Sequence, residues 1–214
     1  LSGKKVAAVD KGRDEKKTLT RAENKIFEPL TSMFERHAKV FKQLGFSIDL
    51  SNPEFPEPQL LDAQIREISG SKNGPWIGVA PFAQYDSKVY PQDLMQRVID
   101  DLAQNNVYKI FLFGGKNEIP VLDALASGKD NVLNMAGKIK FQQELQLISN
   151  LDVMLSMDSG NAHIAAMLGV KVVTLWGATH PYTGFSPFGQ PLENAITSDR
   201  NQYPKLPTSV YGNK

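Results

Sequence analysis

The chain has 214 residues, of which 41% are hydrophobic, and its 24 basic side chains nearly balance 23 acidic ones. This composition excludes disorder and collagen-like repetition, and the absence of cysteine excludes disulfides, catalytic thiols and Cys-ligated metal centres. A net charge of +1 is too balanced for a protein whose whole surface tracks nucleic acid. Because the longest apolar run, residues 164–168, is too short to span a bilayer and nothing resembles a signal peptide, a soluble protein is predicted, with peripheral membrane association left open.

The N-terminal region is predicted to form a strand–helix–strand unit. Residues 5–9 have the pattern of a short buried strand, and apolar side chains then recur at helical spacing from Leu30 to Leu44, before the helix stop at Gly45. Residues 46–50 have the pattern of a second strand. Residues 4–25 carry eight basic and four acidic side chains, the one marked charge asymmetry. Because the chain starts at Leu1 rather than at Met, we expect a fragment.

The remainder of the chain follows an alternating pattern. Three prolines within residues 51–58 predict an extended linker, with a domain boundary between about residues 51 and 75. Beyond it the pattern predicts strands at 76–81, 108–113, 131–135, 152–157 and 171–176, and helices at 91–104, 119–126, 141–149 and 161–168. Such alternation indicates a parallel sheet covered on both faces, which binds ligands at the carboxyl ends of its strands. The organisation predicted is an N-terminal part at 1–50, a linker at 51–75, a ligand-binding domain at 76–198 and an irregular tail at 199–214.

The strongest functional signal is the segment Leu155-Ser-Met-Asp-Ser-Gly-Asn-Ala-His163. A buried strand ends there and a helix begins, so backbone N–H groups without a helical partner point at one spot. Ser159 or Asp158 can cap the helix, Gly160 lets a ligand approach the backbone, and His163 can face the same spot. An anion site and a plain capped helix fit this spacing about equally well. Because Asp158 would repel phosphate unless it is paired, a nearby cation is expected.

Other candidates lie in loops after strands. Lys88 could pair with Asp158 and contact a phosphate, although a loop lysine is more often only solvated. Glu118 could accept from a ribose hydroxyl, but a helix cap is its commoner role. The sequence has no complete dinucleotide-binding or Walker motif, no nucleophile elbow and no zinc-ligand spacing. His37 lies on an apolar helix stripe and is predicted to be a core or boundary residue, while loop 177–189 is of the type that carries specificity.

The run from Ser156 to Pro181 resembles the heptosyltransferases of lipopolysaccharide core synthesis, glycosyltransferase family 9. It reads Ser-Met-Asp-Ser-Gly-Asn-Ala-His-Ile-Ala-Ala-Met-Leu-Gly-Val-Lys-Val-Val-Thr-Leu-Trp-Gly-Ala-Thr-His-Pro. A second match is Ile77-Gly-Val-Ala-Pro81 followed by Ser87-Lys88, where the family reads Pro-Gly-Ala and later Ser-Lys-Arg-Trp-Pro. Here Phe82 replaces the glycine and Val89-Tyr90 replace Arg-Trp, while Lys88 stays in register.

The resemblance implies an α/β protein of GT-B type. Its Rossmann-like parallel sheet, with helices on both faces, would bind the nucleotide-sugar, and residues 1–50 would be the remnant of a second α/β domain that binds the acceptor. Carried over by motif, Lys88 would stabilise the leaving group, and Glu118 would match the acid that binds the ribose. The residues expected to contact the donor's phosphates are Lys88, Asp158, Ser159, Gly160 and His163. The residues expected near the anionic acceptor are Lys11, Arg13, Lys16, Lys17 and Arg36.

The activity implied is direct inverting transfer of heptose from ADP-heptose to the inner core of lipopolysaccharide, without cofactor or metal ion, in the bacterial cytoplasm or at the inner face of the cytoplasmic membrane. The family's general base is an Asp upstream of Leu1, and Asp10 is not assigned that role. This chain alone is therefore expected to bind the donor weakly and to turn over little or nothing. Two alternatives stay open: a transferase of the same fold with another nucleotide-sugar, and a nucleotide-binding module without catalysis. No nucleic-acid partner is expected, since that hypothesis rests on the N-terminal basic excess alone.

Overall fold

A six-stranded parallel sheet forms the centre of the molecule. The computed structural model describes residues 3, 5–104 and 106–213, so Lys4 of the predicted basic segment lies outside the described residues. The strands are β1 (Trp76–Ala80), β2 (Lys109–Leu112), β3 (Val132–Asn134), β4 (Val153–Met157), β5 (Lys171–Trp176) and β6 (Ala195–Thr197). They lie in the order β3-β2-β1-β4-β5-β6, and every neighbouring pair is parallel. This is the strand order of a Rossmann-type sheet, which confirms the predicted fold class.

Helices cover both faces of the sheet. They are α1 (Arg13–Thr20), α2 (Met33–Leu44), α3 (Ala63–Ser69), α4 (Gln92–Ala103), α5 (Ile119–Ala126), α6 (Phe141–Ile148) and α7 (Gly160–Met167). Side chains of α4 and α5 pack on one face of the sheet, and those of α3, α6 and α7 pack on the other. No helix in the described part of the chain is both long and apolar enough to cross a membrane.

The two faces of β1 and β2 follow the alternation of their side chains. Ile77 and Val79 belong to the core under α4 and α5, whereas Trp76 and Ala80 belong to the opposite core. In β2, Ile110 and Leu112 share the first core and Phe111 the second. Because successive side chains of a strand point to opposite faces, an apolar run buried on both sides is what a central parallel strand requires. Burial of each large side chain contributes about 1.5–3 kcal/mol.

Of the strand–helix–strand unit predicted for the N-terminal region, the helix is present but the two strands are not. Residues 5–9 and 46–50 form no strand, and Val6 and Phe46 are 91% and 66% exposed. A strand needs a neighbour to satisfy its backbone groups, and no strand among the described residues precedes Trp76. The helix is confirmed as α2: Ser32 and Glu35 form a capping box at its start, and Gly45 ends it with a φ of 101°.

Three elements were not predicted from the sequence. They are α1, α3 inside the expected linker, and β6 at the edge of the sheet. In α3, Asp62 caps the helix and Ile65 is fully buried beside Leu147 and Ala162 in the core. The segment predicted as an extended linker, residues 51–75, therefore contains a helix that packs against the helices of the sheet. The other helix and strand predictions agree with the structure to within about two residues at either end.

The N-terminal segment packs against the loop that follows β5. The Leu30 and Met33 backbone N–H groups donate to the carbonyl oxygens of Tyr182 and Gly184 at 3.0 and 2.9 Å. Gly184 has a φ of 84°, and a Cβ there would lie 2.7 Å from the Thr31 carbonyl oxygen. Only glycine allows this close approach without strain. The N-terminal helices thus lie beside loop 177–189, at the carboxyl edge of the sheet.

Candidate functional site

The candidate site lies where the strand order of the sheet reverses. β1 pairs with β2 on one side and with β4 on the other, and each of these strands ends at the same edge. The connections that follow β1 and β4 therefore diverge and leave a crevice between them. In open parallel sheets this crevice is the usual ligand site. The loop after β1 carries Lys88, and the turn after β4 carries Asp158 and Ser159.

Lys88 and Asp158 form a nearly buried ion pair at this crevice. The Lys88 Nζ lies 2.9 Å from Asp158 Oδ2, and the two side chains are only 12% and 10% exposed. Thr179 Oγ1, in the loop after β5, donates to the same carboxylate oxygen at 2.9 Å. The pairing that the sequence left as one option is thus present. Thr179 was missed, because contact between two distant loops leaves no mark in local spacing.

The helix that begins at Gly160 has an open N-terminus. Ser159 is the N-cap residue, but neither its side chain nor that of Asp158 caps the helix; the Ser159 hydroxyl lies 3.0 Å from that of Ser156 instead. Of the two options that the spacing left open, the plain helix with a side-chain cap is therefore not the one found. Apart from its chain neighbours and the backbone of α7 itself, no residue has an atom within 4 Å of the place that a Cβ on Gly160 would take. Free N–H groups at a helix start bind anions, and Gly160 at this helix start borders open space.

Two cavities adjoin at this helix start. The lysine cavity, about 370 Å³, is lined by Lys88, Asp158 and His163, and also by Phe185 and Tyr211. The acidic cavity, about 360 Å³, lies on the other side and is lined by two carboxylic residues and two aromatic ones, Glu118, Glu144, Phe82 and Phe113. Gln84, Ser159 and Gly160 line both cavities. Each has the size of a small-molecule site, and together they form a groove.

His163 faces the lysine cavity one turn after the helix start. Burial lowers the pKa of His163, the nearby Asp158 carboxylate raises it, and Lys88 lowers it further. The net direction is down, so the imidazole is held neutral and can donate a hydrogen bond from one nitrogen and accept at the other.

Glu118 does not cap α5, the role that the sequence left as the commoner option; its side chain caps the short 3₁₀ turn Lys116–Glu118 that precedes α5. Its Oε2 accepts a hydrogen bond from the Gly115 backbone N–H at 2.6 Å. A Cβ on Gly114 would lie 2.6 Å from the same carboxylate oxygen and 2.9 Å from Leu122 Cδ1, so it would displace the ends of both side chains. The Glu118 side chain still lines the acidic cavity.

The C-terminal tail forms part of the wall of the lysine cavity. Val210 and Tyr211 line it, and the Ser87 hydroxyl donates to the Gly212 carbonyl oxygen at 2.5 Å. A Cβ on Gly212 would overlap the Lys88 side chain, so the tail lies directly on the lysine. The sequence predicts an irregular tail, which agrees with the turns found, but nothing in the sequence predicted its contact with Lys88.

The structure separates the five basic residues predicted near the acceptor. Lys11, Arg13 and Lys17 are exposed, whereas Lys16 and Arg36 are buried. Arg36 is bonded to the carboxylates of Asp10, at 3.0 Å, and Glu15. Lys16 Nζ lies 4.2 Å from the centroid of the Phe185 ring.

His37 is also placed differently from the prediction. It is exposed, and its neighbour Arg36 occupies the buried face of α2. Hydropathy alone places the histidine, rather than the arginine, on the buried face of the helix. An arginine is buried only when it is paired, and the carboxylates that pair with this one belong to residues 10 and 15, outside the helix.

A comparison with protein families places this site in a known context. A family model described as glycosyltransferase family 9 (heptosyltransferase) matches residues 2–214. The chain belongs to glycosyltransferase family 9. The match extends over the predicted N-terminal part and the sheet alike.

Several family 9 relatives are similar to this chain. "Lipopolysaccharide heptosyltransferase 3" of Escherichia coli K12 is 29% identical over 185 residues, which are 83% of this chain and 52% of the relative. "Lipopolysaccharide heptosyltransferase 1" of Campylobacter coli is 26% identical over 168 residues, 74% of this chain and 44% of the relative. The chain thus spans about half the length of the relatives it matches.

Solved structures of family 9 members share the fold. A family 9 glycosyltransferase from Veillonella parvula superposes with a TM-score of 0.65 at 19% identity, over 86% of this chain and 53% of the other. E. coli heptosyltransferase WaaC with ADP superposes with a TM-score of 0.56 at 20% identity, over 76% of this chain and 48% of the other.

In this family 9 chain, loop 177–189 holds a buried histidine. The His180 ring packs edge-on against Phe27 and Tyr182, and its Nδ1 accepts a hydrogen bond from the Tyr182 backbone N–H at 3.1 Å. Burial, and next the positive charge of Arg200, lower the pKa of His180 to about 4. The cluster joins the N-terminal segment to the loop.

We expect His180 to make stability depend on pH between about 4 and 6.5. The unfolded chain binds a proton at this residue below about pH 6.5, whereas the folded chain does so only below about pH 4. The free energy of unfolding is therefore at its full value above pH 6.5 and decreases as the pH falls towards 4. The loss is up to about 3 kcal/mol. Urea unfolding at several pH values measures it: the His180→Asn variant loses this part of the pH dependence, and the exposed His37→Asn variant keeps it. Equal slopes in wild type and His180→Asn would contradict the expectation.

Proposed function

We propose that this chain carries the donor-binding half of a bacterial heptosyltransferase, which transfers heptose from ADP-heptose to the inner core of lipopolysaccharide with inversion. The observation that supports it best is the Lys88 ammonium group beside the open start of α7, at the strand switch point and between two adjoining cavities. Two similar structures are of E. coli heptosyltransferase WaaC, one with ADP and one with ADP-2-deoxy-2-fluoro heptose, which agrees with this donor.

In this proposal the donor's diphosphate lies against Ser159 and Gly160. The α7 backbone N–H groups and the Lys88 ammonium group bind the phosphate oxygens, and His163 donates a further hydrogen bond. As the bond to the sugar breaks, negative charge grows on the departing ADP, and groups already oriented towards it lower the barrier. Asp158 holds the ammonium group in place, and Thr179 in turn donates a hydrogen bond to the Asp158 carboxylate. Glu118, with one carboxylate oxygen taken by Gly115, binds the ribose through the other. The mechanism uses no metal ion or cofactor.

The acceptor side is proposed from charge. The exposed Lys11, Arg13 and Lys17 favour an anionic partner such as the phosphorylated inner core, and the enzyme would act in the cytoplasm at the inner membrane face. Asp10 is a poor candidate for the general base. The hydrogen bond from the Gly12 backbone N–H is the largest effect on its pKa and lowers it; burial, the next largest, opposes this, and the charge and hydrogen bond of Arg36 lower the pKa further, so the carboxylate is weakly basic. The base that deprotonates the acceptor hydroxyl is not assigned to this chain.

Calorimetric titration with ADP and UDP tests the donor assignment. We expect the folded chain to bind ADP, to bind UDP at least about tenfold more weakly, and to bind ADP equally well with EDTA present. Preference for UDP would favour a transferase with another nucleotide-sugar. If a chain with intact circular dichroism bound neither nucleotide, the donor site would be contradicted.

A transfer assay separates an enzyme from an inactive binding module. The full-length protein that contains this chain is incubated with ADP-heptose and a lipopolysaccharide core acceptor, and release of ADP and growth of the core are followed. Heptose transfer is expected. Binding of ADP without any transfer would support the module.

A further inference from the structure

The acidic cavity contains a carboxyl group that the proposed function does not use. Glu144 lies on α6, which packs on the same face of the sheet as α7, and it lines the cavity together with Phe82 and Phe113. Burial raises the pKa of Glu144, and no hydrogen bond or charge from another group opposes the shift. Among the described residues, no group donates a hydrogen bond to this carboxyl.

Two neighbouring glutamines on the same helix already make side-chain hydrogen bonds. Gln143 bonds to Asp62 and Gln64, and the Gln146 side-chain oxygen accepts from the Asp62 backbone N–H. Glu144 alone on this stretch of α6 combines a partly buried position with free hydrogen-bonding capacity towards a cavity. A desolvated carboxyl without a partner is costly in free energy, and a ligand that supplies a donor removes that cost.

The charges of the groove indicate which part of a nucleotide meets Glu144. The positive groups, Lys88 and the α7 start, lie at the lysine cavity and the shared wall, whereas Glu118 and Glu144 lie in the acidic cavity. Two carboxyl groups repel phosphate, so the acidic cavity takes the uncharged nucleoside. Glu118 faces this cavity from the loop side beside Gly115, and the aromatic side chains offer apolar contact to a base.

We propose that Glu144 accepts a hydrogen bond from the exocyclic amino group of the donor's nucleobase and thereby selects adenine over a base with a carbonyl group at that position. This inference rests on the proposed function. A carboxyl oxygen that meets a carbonyl oxygen finds no proton between them, and both remain unpaired in a partly desolvated site. Sites that bind a polar group directly reject an analogue without it far more strongly than apolar sites do.

Comparison of ADP with inosine diphosphate tests this proposal. The two ligands share the ribose and the diphosphate; ADP has an amino group at the purine 6-position and an acceptor nitrogen at N1, whereas IDP has a carbonyl oxygen at the 6-position and a proton on N1. We expect wild type to bind ADP about tenfold or more tightly than IDP. Glu144→Leu should bind both with equal affinity, close to that of wild type for IDP. Gln142→Leu, an exposed change on the same helix, should keep the wild-type ratio.

Each result supports or overturns the proposal. Equal binding of ADP and IDP by wild type, or an unchanged ratio in Glu144→Leu, would overturn it. If Glu144→Leu does not fold, Glu144→Gln replaces it: the amide offers both an acceptor and a donor, so the ratio should fall while both ligands still bind. Failure of wild type to bind any nucleoside diphosphate would overturn the proposed function instead, so the two failures are distinguishable.

Discussion

Replacing Lys88 by alanine is expected to weaken ADP binding by about 2–3 kcal/mol, or about 30- to 150-fold in Kd. Two effects add. The charge-assisted hydrogen bond from the ammonium group to the diphosphate is lost, and the Asp158 carboxylate, 10% exposed, is left beside the ligand without its partner. In the transfer reaction the loss is expected to reach about 3 kcal/mol, because the charge on the leaving group is largest in the transition state. Calorimetry and the transfer assay measure the two quantities.

A second variant separates these two effects. Removing Asp158 as well, in Lys88→Ala/Asp158→Ala, should recover part of the lost ADP affinity, because the repulsion disappears while the missing attraction does not. Lys129→Ala is the matched control, since Lys129 also forms an ion pair, 2.8 Å from Asp100, away from the groove. It should leave ADP binding unchanged. If Lys88→Ala bound ADP as tightly as wild type, the phosphate role of Lys88 would be refuted.

The second large effect is expected for Gly177→Ala, which acts on Lys88 through the backbone. A Cβ at Gly177 would overlap the Ser87 carbonyl oxygen and lie 3.3 Å from the Lys88 Cα. The same carbonyl oxygen accepts a hydrogen bond from the Ala178 backbone N–H at 2.8 Å, so neither side can move freely. We expect a loss of about 2–4 kcal/mol in the free energy of unfolding. ADP affinity should fall about tenfold, because the turn that carries Lys88 is displaced.

Gly128→Ala controls for backbone strain without a clash. Its φ of 75° is unfavourable for alanine, but nothing lies within 4 Å of the added Cβ, so the cost should stay near 1–2 kcal/mol. ADP binding should not change. Urea unfolding and calorimetry on both variants make the comparison. Equal stability losses and unaltered ADP affinity in Gly177→Ala would show that the loop after β5 does not position Lys88.

The best-predicted elements are the ones that their own residues mark clearly: apolar strands of the central sheet with turn residues at both ends, and a helix with signals at its start and its end. The strands β1, β2, β4 and β5 are apolar runs bounded by turn residues, and α2 has both of its end signals, Ser32 and Gly45. The strand predictions for residues 5–9 and 46–50 are wrong. Both segments have the apolar pattern of a strand, but neither pairs with a strand among the described residues. A strand's hydrogen bonds are made to another segment, so a strand-like run does not by itself form a strand.

For the candidate site, the sequence alone determined the residue types, their order and the family: Lys88 after one strand, and Asp158, Ser159, Gly160 and His163 after another. Only the tertiary structure decided that Thr179 holds the Asp158 carboxylate, that Tyr211 of the tail lines the lysine cavity, and that Arg36 is buried with Asp10 and Glu15. It also showed Glu144 facing the acidic cavity.

The physical reason is the distance along the sequence between the residues that decide each feature. Helix starts and strand ends follow from neighbours within a few residues, whereas a cavity wall or a buried charge depends on which distant segments the packing of the sheet brings together.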